Sequence, residues 1–192
     1  MAEFNPKVAA AAREESPKGR RLEELEKRVE ELTERFRQRS TTPPSACEFE
    51  KELKKVLDAA GRQILEEEFN RREADDKHQL PPKVRYRGET YRINKKTKAD
   101  IATSFGTIAL RSFLYLCEEP GEPGLHPLHV ELGVVAGSAT AVLAERVGRW
   151  AVDYSQREVR QWLWAEHGLR WSNDRLRRVL REFRDPERGW RP

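Results

Sequence analysis

The segment from Ser155 to Arg184, SQREVRQWLWAEHGLRWSNDRLRRVLREFR, decides how the chain is read. It opens on Ser155-Gln156-Arg157-Glu158, the S-x-x-E spacing in which the Ser and Glu side chains each satisfy an unpaired backbone N–H in a helix's first turn. Val159, Trp162 and Leu163 follow at helical spacing, with Ala165 as a further inward candidate. Gly168, directly after Glu166-His167, supplies the left-handed residue that stops this helix, and Leu169 plugs the turn. Ser172 caps another helix, whose inner face is Leu176, Val179, Leu180 and Phe183. Upstream, Val142, Leu143, Val147, Trp150 and Ala151 line one face of a supporting helix that ends near Asp153. A supporting helix followed by two short helices around a Gly-containing turn predicts a trihelical helix-turn-helix.

The outer face of the last helix carries the chemistry. With its apolar residues inward, Asn173, Arg177, Arg178, Arg181 and Arg184 face outward, next to the cap Ser172. Asn near the start of a reading helix can pair with adenine, Arg can pair with guanine, and further Arg residues can hold phosphates. Arg157 and Arg160 on the preceding helix are placed to grip the duplex backbone. Asp174, Glu182, Asp185 and Glu187 dilute this positive field, and Arg-bearing helical hairpins also occur in proteins that do not touch DNA. Charge distribution favours the nucleic-acid reading. The net charge is only +4 with a pI near 9.1, yet every basic residue from Trp171 onward is Arg, while no lysine lies beyond Lys98. Trp150 and Trp162 fall on inner faces and read as packing residues rather than stacking platforms.

Working outward, residues 126–185 form the expected helix-turn-helix region and 186–192 a tail. Before it, 47–125 reads as a helix plus a β meander. The helix runs from about Cys47 to Asn70 with Phe49, Leu53, Val56, Leu57, Ala60, Ile64, Leu65 and Phe69 on its apolar face. A charged linker spans Ala74 to Pro82. The meander then covers about Lys83 to Cys117, with one turn at Gly88-Glu89 and another at Phe105-Gly106, and the Pro/Gly loop 120–124 ends it. Residues 40–46, with Pro43-Pro44, read as a linker, and 1–19, broken by Pro6, Pro17 and Gly19, as a loose tail. Between them, 20–39 is a short coiled-coil-like helix. Its seam of Leu22, Leu25, Val29, Leu32 and Phe36 calls for a partner helix in a second copy, the alternatives being a single solvated helix or one folded back on its own chain. The expected class is therefore α+β, mainly helical.

Cys47 and Cys117 form no CxxC pair, which argues against a disulfide framework and a four-ligand zinc site. Cys117, His126 and His129 lack a fourth ligand and read as loop anchors, so neither a metal nor another cofactor is expected. Gly133, Gly137 and Gly148 fit no phosphate-binding loop, and no G-x-S-x-G nucleophile motif is present. The first residues lack a signal-peptide core and no stretch reaches transmembrane length, which predicts a cytoplasmic, nucleoid-associated protein with no membrane partner.

The order of parts resembles the N-terminal portion of bacterial insertion-sequence transposases of the ISKra group. The likeness spans about Cys47 to Phe183 and is carried by Phe49-Glu50, Lys51-Glu52-Leu53, the Phe105-Gly106-Thr107 turn and His126-Pro127-Leu128 running into Glu131-Leu132-Gly133. The resemblance implies binding to the terminal inverted repeats of a mobile element, and catalysis by three carboxylates in an RNase-H-like domain. Family members carry cysteines around the loop before Pro127, where this chain has Cys117 alone. The sequence ends at Pro192, before any such catalytic domain, so the expectation is DNA recognition by a truncated or split transposase-like protein, without catalytic residues. A separate catalytic transposase subunit is then an expected partner, beside double-stranded DNA and a homo-oligomer. The alternative is an oligomerising protein–protein interaction module without DNA binding.

Overall fold

The computed structural model describes residues 17–38, 43–119 and 121–184. They form an α+β, mainly helical arrangement. The helices are α1 (Pro17–Gln38), α2 (Pro43–Arg71), α3 (Pro127–Glu131), α4 (Ala141–Asp153), α5 (Gln156–His167) and α6 (Asn173–Arg184). The strands are β1 (Lys83–Tyr86), β2 (Glu89–Thr103), β3 (Gly106–Cys117), β4 (Val134–Val135) and β5 (Ala139–Thr140). The chain divides into two compact units, Met1–Ala60 and Gly61–Pro192. Expectations for 1–16, 39–42 and 185–192 fall outside the described residues. No helix among the described residues is long and apolar enough to cross a membrane.

Pro17, read as a breaker, opens α1 instead, and Pro43, read with Pro44 as ending one helix and capping the next, is itself the first residue of α2, ahead of the expected start near Cys47. The first turn of a helix has no intrahelical partner for its N–H groups, so proline costs nothing there. The tail therefore does not extend to residue 19, nor the linker to residue 46.

In the first unit, Leu32 is buried and Leu25, Val29 and Phe36 are partly buried. The Phe36 ring stacks on Phe49 of α2 at 4.6 Å, and Arg35 lies 3.7 Å from Glu52. The C-terminal end of the seam is thus met by the chain's own next helix. The Leu22 side chain lies outside the described residues.

In the second unit, β1, β2 and β3 form the expected antiparallel meander, with β2 running for 15 residues and its register against β3 shifting between Ile93 and Lys95. The first turn is Arg87-Gly88 rather than Gly88-Glu89. Both turn residues have positive φ, 53° and 93°, which suits the right-handed twist of a two-residue hairpin. The sheet is mixed rather than purely antiparallel, because β5 pairs with β2 in parallel at Ala102↔Ala139 and β4 pairs with β5. The segment read as a linker before β1 contains a single 3-10 turn, Lys77–Gln79, capped by the Asp76 carboxylate on His78 N at 3.0 Å.

The free edge of β3 is closed by side chains. Glu66 on α2 accepts from Ala109 N at 2.9 Å. Asn70 donates to Ala109 O at 2.9 Å and accepts from Arg111 N at 2.7 Å. Glu73, just past the helix, accepts from Phe113 N at 3.0 Å, and Tyr115 exchanges two 2.8 Å backbone bonds with Leu125. Unpaired strand edges invite further pairing, and these groups occupy the edge that β2 does not.

The two sheet faces bury different cores. Ile101, Ile108 and Leu110 pack with Leu128 and Val134, against Leu65 and Phe69 of α2. Opposite them, Ala102 joins Val135, Ala139 and the apolar faces of α4, α5 and α6. Not all of α2's expected apolar face is covered: Leu57 is 48% and Ile64 45% exposed.

Candidate nucleic-acid interface

The three helices after Thr140 are held by the local devices their sequence encodes. Both halves of the capping box at the start of α5 form: Ser155 N donates to Glu158 Oε2 at 2.9 Å, and Glu158 N donates to Ser155 Oγ at 3.4 Å. The side-chain and backbone hydrogen bonds from Ser155 hold the Glu158 carboxyl below its usual pKa. At the other end Gly168 takes a left-handed φ of 65°, Leu169 N reaches Leu163 O and Gly168 N reaches Trp164 O, each at 3.0 Å. Leu169 closes the turn beneath, only 3% exposed. The next helix is capped by Ser172, whose hydroxyl accepts from Arg175 N at 3.1 Å.

Leu143, Ala144, Val147, Val159, Leu163, Leu176 and Val179 are fully buried between the helices, with Trp150, Ala151 and Phe183 packed against them. At Gly148 an added Cβ would lie 3.1 Å from the Phe183 ring, so α4 and α6 approach closely there. Two inward assignments fail. Val142 is 64% exposed because it is on α4's first turn and faces away from α5 and α6, and Ala165 lies on the outer side of α5. Trp162 is partly buried, between Trp150 at 5.6 Å and Tyr154 at 4.3 Å. Trp164 is exposed and carries the Arg170 guanidinium over its ring at 4.2 Å.

Arg177, Arg178, Arg181 and Arg184 are exposed on α6 and Arg157 on α5, and none of them bonds another described residue. α6 holds five arginines against the two acids Asp174 and Glu182. The remaining candidates are drawn into the turn. Arg160 is half-buried; its Nε donates to Trp171 O at 2.7 Å and its Nη1 to Asn173 Oδ1 at 2.9 Å. Asn173 is exposed, but its side-chain oxygen is thus engaged by Arg160, leaving its amide N–H groups open to solvent. Ser172 serves α6 as its cap.

Arg175 belongs to this region and was not singled out from the sequence. Its Nη2 donates to Ser138 O at 2.7 Å and Asp100 O at 3.4 Å, and its guanidinium lies over Trp171 at 5.1 Å. Burial, then the neighbouring Arg178, press its pKa below the usual arginine value, with Asp100 opposing them. This residue ties the first turn of α6 to the sheet. The helical pattern places it on the flank between the inner and outer faces, where periodicity alone assigns no role.

The histidines read as loop anchors meet at a different atom from Cys117. Ser112 Oγ lies 2.9 Å from His126 Nδ1 and 3.1 Å from His129 Nε2, and the two imidazoles stack at 4.5 Å. One hydroxyl carries one proton, so it donates to one neutral ring and accepts from the other. Cys117 packs instead beside Tyr91, Phe113 and Tyr115. Among the described residues no three His, Cys, Asp or Glu side chains gather as metal ligands. Protein-family models, curated proteins and solved structures yield no match to this chain.

Proposed function

We propose that α4, α5 and α6 form a helix-turn-helix that binds double-stranded DNA sequence-specifically, with α6 as the reading helix. The observation that carries the reading is how cations are partnered. Arg71, Arg72, Lys83, Arg92 and Arg149 each face a carboxylate, whereas the four outward arginines of α6 face none among the described residues. A row of unneutralised guanidinium groups on a rigid helix repels itself in the free protein and suits a polyanion that it would relieve of counterions. Selection from a pool of random duplexes should return an enriched sequence bound with steep salt dependence. Replacing Arg177 and Arg181 together by Ala should weaken that binding while leaving the unfolding midpoint in place. A selection without enrichment or salt-sensitive binding overturns the reading.

The duplex we propose is the terminal inverted repeat of a mobile element, and the likeness to ISKra-group transposases is what supports it. On this reading the protein works on the nucleoid with a separate catalytic subunit. Footprinting on DNA flanking the gene tests the repeat assignment: protection away from any inverted repeat removes it.

One observation favours an interaction module instead. Leu57 and Ile64, seven positions apart and therefore on one face of α2, are both exposed. If association with a second copy is the function, mass measured by sedimentation should rise with concentration, fall when both residues become Gln, and be indifferent to DNA.

A further inference from the structure

We infer that Lys98 on β2 and Arg111 on β3 form a second phosphate-contacting surface that acts on the same duplex as α6. This inference rests on the DNA-binding reading above. The two residues are direct cross-strand partners in the β2–β3 register, so their side chains leave the same face of the sheet. Both are exposed, and neither side chain forms an ion pair or hydrogen bond among the described residues. Like charges directly opposite each other destabilise a sheet, so this pair costs the free protein something that a bound anion would return.

Its location ties it to α6. Side chains two apart along a strand share a face, so Lys98, Asp100 and Ala102 all project from one side of β2. On that side Ala102 lies in the core shared with α4, α5 and α6. Arg175 in the first turn of α6 reaches the Asp100 backbone oxygen at 3.4 Å, roughly 7 Å along the strand from Lys98. Arg178 follows Arg175 by one helical turn on α6. The Arg175–Asp100 contact is thus the link by which a duplex on α6 would extend along the strand to the Lys98–Arg111 pair. Asp100, also exposed, is the one acid on this stretch of the sheet face, and it sits at the α6 end, opposite Ala109. The neighbouring Lys96 is already committed, donating to Ala74 O at 2.8 Å. The surface reads no sequence, because it presents only point charges and a guanidinium on a flat sheet, so its partner atoms are backbone phosphates.

The test uses the full chain with Lys98→Gln and Arg111→Gln together, a mixed-sequence DNA duplex as probe, and anisotropy across a salt series. The double variant should lower the slope of log affinity against log salt by roughly 2, at about 0.9 for each phosphate left unneutralised. It should also weaken binding at low salt while melting at or above the wild-type temperature. Lys98→Arg with Arg111→Lys should restore the slope. A slope unchanged by the Gln variant, while Arg177→Ala with Arg181→Ala still lowers it, overturns the inference and leaves the α6 reading standing. A wild-type chain with no salt-dependent binding overturns both.

Discussion

Arg160 and Asn173 join α5 to α6 across the tight turn, the guanidinium donating to the amide oxygen at 2.9 Å while its Nε holds the Trp171 carbonyl. Arg160 therefore braces the start of α6, a position from which the sequence suggested a grip on a duplex backbone. Replacing it by Ala should lower the unfolding free energy by about 1.5–3 kcal/mol, the range for hydrogen bonds involving a charged group. Urea unfolding measures this, and the salt dependence of DNA binding should not change. A variant of wild-type stability with a salt slope reduced by about one would put Arg160 on a phosphate after all.

Asn70 fills two positions of a missing strand, satisfying Ala109 O and Arg111 N with a single amide. Asn70→Ala leaves both backbone groups without their protein partner and should cost about 1–3 kcal/mol. The amide of Arg111 should also exchange with solvent faster than those of β2. Unaltered exchange there would mean that the edge needs no such closure.

Gly168 has φ 65°, with nothing within 4 Å of an added Cβ. Ala at this position therefore meets no clash and suffers only the left-handed backbone penalty, about 1 kcal/mol, which a shift in Tm reports. Gly168→Asn should lose less, since Asn tolerates this conformation better. Equal losses for the two would point to a cause other than backbone strain.

Acid should weaken the fold through the histidine pair. Burial first, then the neighbouring His126, lower the pKa of His129 from 6.5 to about 4, and burial lowers that of His126 too. Between these values the unfolded chain binds more protons than the folded one, so stability is intact above about pH 6.5 and declines as pH falls towards 4. For His129 the loss amounts to about 3 kcal/mol at its limit. Unfolding free energies measured across this range for wild type and His129→Asn should diverge, with the variant flatter. Parallel curves would show that His129 does not titrate in this way.

The turn from Ser155 to Ser172 was legible because its devices are local: a capping box, a left-handed glycine and a serine cap each act within a few residues. The apolar positions of α6 were legible for the same reason, since one helical period sorts Leu176 and Val179 inward. The role of Arg160 was hidden because its partners lie 11 and 13 residues away, across a turn whose geometry the sequence does not state. The parallel contact of β5 with β2, and with it the position of Asp100 beneath Arg175, depends on a pairing between short strands that carry no periodic pattern of their own. Pro17 misled because the same ring that breaks a helix interior is neutral at its first residue.

The closure of the β3 edge also restricts what α2 can do. Glu66 and Asn70 stand one turn apart on a helix that advances about 100° per residue, so slipping its register by a single position would swing both side chains off their backbone partners together. The C-terminal half of α2 is thus keyed against rotation about its own axis. It can tilt or detach, but it cannot act as a rolling contact, and any motion it passes to β3 must travel as displacement along or away from the strand.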